Sequence, residues 1–303
     1  MKAAAIAAFG GPEMLRLTEF DAPEPGPGEV RVRVRAAGVQ PVDCAARSGW
    51  SPPGLSPSLP LIVGNEFAGV IDRLGDGVEG FAAGDEVLGF RSLGCYAEYV
   101  VVSAAQLAAK PPGMPWEIAG GLSGAGQTAH TAMEELRVGP GDTVLINGAA
   151  GGVGTVAVQV ARERGAAVIA TGREENHDYL RSLGAVPVTY EEGLADRIRV
   201  LAPRGVDAAL DAAGGLGLAV AVELVEDKDR IGTIYAFDRY KELGVRWISS
   251  KRSAARLSEL VDLYVKGKLR VHVRKTYPLE QAAEAHREIE TGHGRGKIVL
   301  TIE

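Results

Sequence analysis

The sequence predicts an α/β fold in which a β-rich, partly open barrel is interrupted by a doubly wound parallel sheet. Three features carry that expectation. Residues 1 to about 110 break into five or six short strands separated by turn residues. Residues 142–171 read as strand, glycine turn, helix and strand, a single βαβ unit. The chain then closes with two strands that fit the first, β-rich part better than a parallel sheet already complete.

The elements follow in order. The apolar start of the chain, broken by Gly10-Gly11-Pro12, is a first strand. Residues 30–35 alternate strictly, placing Val30, Val32 and Val34 on a core and Arg31, Arg33 and Arg35 in solvent. The Pro/Gly-rich stretch before them is a turn. Strands follow at 67–71, 86–90 and 97–102, with turns at Gly75-Asp76-Gly77 and Gly84-Asp85. From about 113 the rhythm changes. Residues 116–131 are Ala/Gly-rich with helical character, and 128–136 read as a helix ending before Gly139-Pro140-Gly141. Helices near 176–183, 194–202 and 218–224 alternate with strands at 186–189, 207–211, 230–235 and 245–248, the pattern of a doubly wound sheet. A helix over 253–266, strands at 269–273 and 297–302 and a helix at 279–289 complete the chain.

The glycine turn carries the chemistry. Gly151 lets backbone approach a pyrophosphate, and Gly154 lets the helix pack closely on the strand. Free N–H groups and the positive dipole end at the helix start hold phosphates. Ala149 stands at the first position of the usual G-x-G-x-x-G, so the fingerprint is a variant. A ligand-free tight turn explains several glycines poorly.

The 303 residues suffice for two domains. A net charge of −6 excludes a general attraction to nucleic acid or anionic membrane. No apolar run approaches a membrane span and no signal peptide is read, so a cytoplasmic protein is expected. Two cysteines, Cys44 and Cys95, permit neither a disulfide framework nor a four-thiolate zinc site, and read as small packing residues.

Several collinear segments resemble the medium-chain dehydrogenase/reductase superfamily, in its zinc-independent quinone oxidoreductase branch. They are Ala37-Gly38-Val39-Gln40-Pro41-Val42-Asp43, Gly64-Asn65-Glu66-Phe67-Ala68-Gly69-Val70, Gly84-Asp85-Glu86-Val87-Leu88-Gly89, Tyr96-Ala97-Glu98-Tyr99-Val100 and Gly126-Gln127-Thr128-Ala129. The match continues through residues 148–154, Ala283-Glu284-Ala285-His286 and Arg295-Gly296-Lys297-Ile298-Val299-Leu300. The resemblance implies a GroES-like catalytic domain over 1–113 plus 268–303, a Rossmann domain inserted at 114–267, a nicotinamide cofactor and a homodimer.

Zinc members place a cysteine near Val39-Gln40-Pro41 and a histidine where Asn65 stands, so no zinc is expected. The second strand of the βαβ unit ends in Thr171-Gly172-Arg173, without the acidic residue that bonds an NAD ribose. Arg173 can pair with a 2′-phosphate and Tyr190 matches a family tyrosine near it, which favours NADP(H); Glu174 and Glu175 keep NAD(H) open. The resemblance assigns the cofactor to Thr128, Ala149, Ala150, Gly151, Gly152, Val153, Gly154, Thr171, Gly172, Arg173, Tyr190, Ala213, Tyr235, Ala236 and Phe237. Thr128 has a helix-start hydroxyl as its equal alternative. Gln40, Asn65 and Tyr96 are the candidate catalytic residues. Asp43 and Arg47 read as a structural ion pair, and the five histidines as surface or helix residues outside the site. Trp50, Ser51 and Leu55 belong to a Pro-rich loop that either rims the substrate site or is plain surface. The activity implied is hydride transfer from NADPH to a quinone or α,β-unsaturated carbonyl. An enone needs a proton donor, Tyr96 or a bound water, whereas a hydroquinone anion takes its proton from solvent. A stand-alone enoyl thioester reductase and a non-catalytic NADPH-binding protein remain the alternatives.

Overall fold

The computed structural model describes residues 1–51, 54 and 56–303. Leu55, expected near the substrate, lies outside the described residues, as do Pro52 and Pro53. The chain divides into two compact units. Unit one comprises residues 1–124, 252–262 and 271–303, and unit two residues 125–251 and 263–270.

Unit one opens with β1 (Lys2–Ile6), β2 (Leu15–Glu19), β3 (Glu29–Val39), the short helix α1 (Pro41–Arg47) and β4 (Leu61–Ile62). It continues with β5 (Glu66–Leu74), β6 (Glu86–Phe90), β7 (Tyr99–Ser103) and β8 (Leu107–Ala109). A three-stranded sheet runs β2-β1-β4, and an antiparallel bridge from Ala3 to Ala97 ties it to the chain entering β7. β3 organises the larger sheet: β5 lies along one edge, while β7 pairs with its first half on the other.

Val30, Val32 and Val34 are buried, as their alternation requires. Arg31 departs from expectation. It is also buried, donating to Asp72 and Glu24 and lying 5.0 Å above the ring of Tyr99. The second face of β3 is thus covered locally, and only Arg33 is fully exposed there.

Helix α2 (Trp116–Glu135) runs without a break from unit one into unit two, where two helical stretches were expected. Its glycines are contact points. A Cβ on Gly120 would stand 2.7 Å from the Cβ of Ala36, and one on Gly124 would meet the amide of Gln40 at 1.8 Å. Thr128 lies well inside this helix, which removes its reading as a helix-start hydroxyl.

Unit two contains β9 (Thr143–Asn147), α3 (Gly152–Glu163), β10 (Ala167–Thr171), α4 (His177–Ser182), β11 (Val186–Val188) and α5 (Leu194–Leu201). β12 (Ala208–Asp211), α6 (Gly215–Leu224), β13 (Ile231–Thr233) and β14 (Arg246–Trp247) follow. All strand pairs are parallel, in the order β11-β10-β9-β12-β13-β14. The order reverses beside β9, and this switch point is where α/β sheets bind ligands. Leu145, Ile169 and Ala209 from adjoining strands bury one face of the sheet with Leu218 and Ala221 of α6.

After α7 (Ala254–Val265), the strand expected at 269–273 is absent, and β15 (Val273–Pro278) begins where it should have ended. The side chain of Gln159 on α3 takes the place of a sheet partner there. Its amide donates to the carbonyl of Arg270 and accepts from the N–H of the same residue, at 2.9 and 2.8 Å. Helix α8 (Ala282–Glu290) and β16 (Lys297–Thr301) complete unit one. β16 pairs antiparallel with the second half of β3 and parallel with β15.

Candidate functional site

In unit two the glycine turn leaves β9 at Asn147 and enters α3 at Gly152. Gly148 has φ of +73°, a conformation that favours glycine. A Cβ on Gly154 would stand 2.4 Å from the carbonyl oxygen of Gly148, so only glycine lets helix and strand approach this closely. Ala149 is buried, with its N–H donated to the carbonyl of Thr171. No side chain caps α3 at Gly151, so Gly152 and Val153 present the first N–H groups of the helix as an anion site. The same dipole end and open backbone fit a pyrophosphate.

Behind this turn lies a buried polar network that sequence reasoning missed. The Asn147 amide donates to Asp211 Oδ1 at 2.6 Å and to the carbonyl of Gly214 at 3.0 Å. Thr171 donates to Asn147 Oδ1 and accepts from the N–H of Gly148. Asp211 also accepts from the N–H groups of Ala213 and Gly214 and from the hydroxyl of Thr233. The Thr233 hydroxyl in turn accepts from Tyr235 and Ala236 N–H. One network therefore fixes the ends of β9, β10, β12 and β13 and the loops that follow them, including the predicted residues 171, 213 and 235–236.

At the end of β10, Gly172 donates its N–H to the carbonyl of Val188, and Arg173 projects outward with its Nε donating to Tyr190 Oη at 3.1 Å. Arg173, Glu174 and Glu175 are all exposed. Tyr235 and Phe237 are more than half exposed, with Phe237 meeting the ring of Trp247 edge-on.

Unit one holds a second constellation, where β3 passes into α1 and β5 begins. Asp43 is fully buried and accepts three hydrogen bonds, from the N–H of Gln40, the amide of Asn65 and the hydroxyl of Tyr96. Burial pushes the Asp43 carboxyl up to about 6, against those donors and the charge of Lys297. The expected Asp43–Arg47 ion pair does not form. Asp43 turns back to the helix start, and Arg47 reaches α8 and pairs with Glu290.

Tyr96 is fully buried, and burial beside Asp43 holds its hydroxyl well above the ordinary phenol range. Its ring meets His286 edge-on, and His286 Nε2 lies 3.4 Å from its oxygen. His286 is a helix residue, as expected of the histidines, but it is fully buried. It falls on the inward stripe of α8 with Ala282, Ala285 and Ile289, a spacing visible in the sequence. Burial pushes its imidazole down to about 3, so the ring is neutral. With the Tyr96 hydroxyl proton given to Asp43, the tautomer that suits this contact carries the His286 proton on Nε2.

Glu66, fully buried, accepts from the Gln40 amide at 3.1 Å, the N–H of Gly124 at 2.6 Å and Lys297 Nζ at 2.7 Å. Arg252 donates to the carbonyl of Asn65 and to Ser92. Cys44 and Cys95 are buried free thiols, raised far above the thiolate range by burial. Among the described residues no helix is long and apolar enough to cross a membrane.

Two family models match the chain: an alcohol dehydrogenase GroES-like domain at residues 26–113 and a zinc-binding dehydrogenase at 183–300. A quinone oxidoreductase of Pseudomonas aeruginosa is 32% identical, covering 97% of this chain and 98% of its own. A solved NAD-dependent alcohol dehydrogenase superposes with a TM-score of 0.89 at 33% identity, over 100% of both chains. An Escherichia coli quinone oxidoreductase solved with NADPH gives 0.86 at 26% identity, over 99% of this chain and 100% of that one.

Proposed function

We propose, for a chain that belongs to the quinone oxidoreductase branch of the medium-chain dehydrogenase/reductase superfamily, the transfer of a hydride from NADPH to a quinone. Unit two, with the glycine turn, is the nucleotide-binding part, and unit one supplies the substrate contacts. NADPH, when bound, supplies the hydride. The N–H groups at the start of α3 hold the pyrophosphate, and the network on Asp211 keeps the loops around it in place.

The observation that carries the choice of NADPH is the Arg173–Tyr190 pair beyond β10. Relatives of both cofactor types superpose on the chain, so the strand end has to discriminate. Thr171 and Gly172 offer no carboxylate to a ribose hydroxyl, whereas the outward guanidinium, steadied at Nε by Tyr190, suits a 2′-phosphate.

Zinc does not fit the donors present, despite the description of one matching family. Gln40 and Asn65 are amides, and the Cys44 thiol is buried and raised by burial. Glu66 is closed by Lys297. Among the described residues no group of three or more His, Cys, Asp or Glu is placed to hold a metal ion. Gln40 and Asn65, both half-buried, are assigned to the substrate. Tyr96 is sealed behind Asp43, which favours quinones over enones: the hydroquinone anion takes its proton from water, while an enone requires one at carbon. A homodimer is the assembly this reading adopts.

Oxidation of NADPH by 1,4-benzoquinone or 9,10-phenanthrenequinone, compared with an enone, tests the proposal. Quinone turnover should exceed enone turnover at least tenfold. Tight NADPH binding without turnover of either would overturn it. Arg173→Ala should raise KM for NADPH about 30-fold, the worth of a charge-assisted pair, and change KM for NADH less than about twofold. Equal effects would refute the assignment of Arg173.

A further inference from the structure

We propose that Asp43 and Glu66 lock the amides of Asn65 and Gln40 with their NH2 groups inward and their carbonyl oxygens outward, so that this edge of unit one binds a ligand through the ligand's own O–H donor, such as a hydroquinone hydroxyl. The identity of the ligand rests on the proposed function; the direction of the amides does not.

An ionised carboxylate can only accept hydrogen bonds. Asp43 meets three donors, one of them Asn65 Nδ2, and Glu66 meets three, one of them Gln40 Nε2. Turning either amide over would set a carbonyl oxygen against a buried carboxylate oxygen, acceptor against acceptor. The direction is enforced further back. His286 Nε2–H faces Tyr96 Oη, Tyr96 donates to Asp43, and Asp43 is left to receive Asn65. On the other branch Lys297 can only donate, so it keeps Glu66 an acceptor for Gln40.

What remains for a ligand is Asn65 Oδ1 and the second lone pair of Gln40 Oε1. Among the described residues Asn65 Oδ1 has no protein hydrogen-bond partner and is not sealed from solvent, while the Gln40 side chain accepts from the N–H of Asp43 at the start of α1; both side chains are half-buried. The two amides meet through Asp43, which takes the N–H of Gln40 as well as the Asn65 amide. A pair of acceptors cannot stabilise an oxyanion directly. It favours a hydroxyl over a methyl ether of the same shape, and it favours the reduced, hydroxyl-bearing partner of a quinone pair. The carboxamide N–H of the nicotinamide has the same donor chemistry and is separated by experiment.

The test is equilibrium binding to the full-length chain saturated with NADP+, comparing 1,4-hydroquinone with 1,4-dimethoxybenzene. The wild type should bind the hydroquinone about tenfold more tightly, the worth of one or two neutral hydrogen bonds. Asp43→Asn keeps the shape but frees the Asn65 amide to turn, and should bring the ratio within about threefold. Asn65→Ala, at a half-buried position, should do the same and covers the case in which Asp43→Asn fails to fold. A second ratio, NADP+ against its 3-acetylpyridine analogue, which lacks the carboxamide N–H, should be unchanged in both variants. A change confined to this second ratio would overturn the hydroquinone as the ligand. No preference in the wild type, no measurable hydroquinone binding, or a preference that survives both substitutions would overturn the inference. A preserved preference without quinone turnover would instead sink the proposed function alone.

Discussion

Asp211→Ala should cost about 4 kcal/mol of stability and most of the affinity for NADPH. The carboxylate accepts from the Asn147 amide, two backbone N–H groups and the Thr233 hydroxyl, all in the interior of unit two except the partly buried N–H of Ala213. The Asn147 amide keeps the carbonyl of Gly214 as a second acceptor, whereas the other three donors lose Asp211 without such a replacement. Each buried donor left without a partner costs about 1–3 kcal/mol. The glycine turn and the loop after β13 are anchored to the same group, so their positions loosen together. Asp211→Asn keeps the shape and Oδ1 for the Asn147 amide and the two backbone N–H groups, but sets an NH2 against the Thr233 hydroxyl, whose lone pairs already serve Tyr235 and Ala236, so the cost should fall only to about 2–3 kcal/mol. Urea unfolding with NADPH titration checks both variants. Equal stability of the alanine variant and the wild type would remove Asp211 from the centre of the network.

The second large effect is a pH dependence carried by His286. Its folded value lies near 3 against an ordinary 6.5, so between those limits the unfolded chain binds the proton and the folded chain does not. Stability therefore rises with pH across this window and falls on acidification. Asp43 acts in the opposite sense. Its folded value is raised to about 6 from 3.8, so the folded chain holds the proton longer and this contribution declines as pH rises from about 4 to 6. Comparison of the wild type with His286→Leu isolates the histidine. The stability of the wild type relative to the variant should drop by about 3 kcal/mol from pH 7 to pH 4. A difference that is flat over this range would show that the ring charges without penalty.

The sequence made the parallel sheet and the nucleotide turn legible because both depend on neighbours close along the chain. Arg173 was likewise visible from the end of a single strand, whereas Tyr190 was named from the resemblance. Asp211 read only as the end of a strand, since its partners Asn147 and Thr233 stand 64 and 22 residues away. Arg31 was misplaced because strand alternation says which face a side chain takes and not whether that face is covered. Gly120 and Gly124 suggested a weak helix, yet their reason is contact with Ala36 and Gln40, which no local pattern contains. The strand expected at 269–273 was displaced because the Gln159 side chain does the work of a neighbouring strand there. Asn65 and Gln40 were named from resemblance, while their direction depends on Lys297 and His286, more than 200 residues further along.

The pairing of β16 with β3 inverts the order in which the chain is made and the order in which it can fold. Every strand of the parallel sheet has been synthesised by residue 247, whereas the larger sheet of unit one lacks β15 and β16 until the final residues emerge. Glu66 waits equally long for Lys297, its buried counter-ion. Domains fold as units during synthesis when their parts are present. A ribosome-stalled chain ending at residue 290 should accordingly resist protease over residues 125–251 while residues 1–124 are cut.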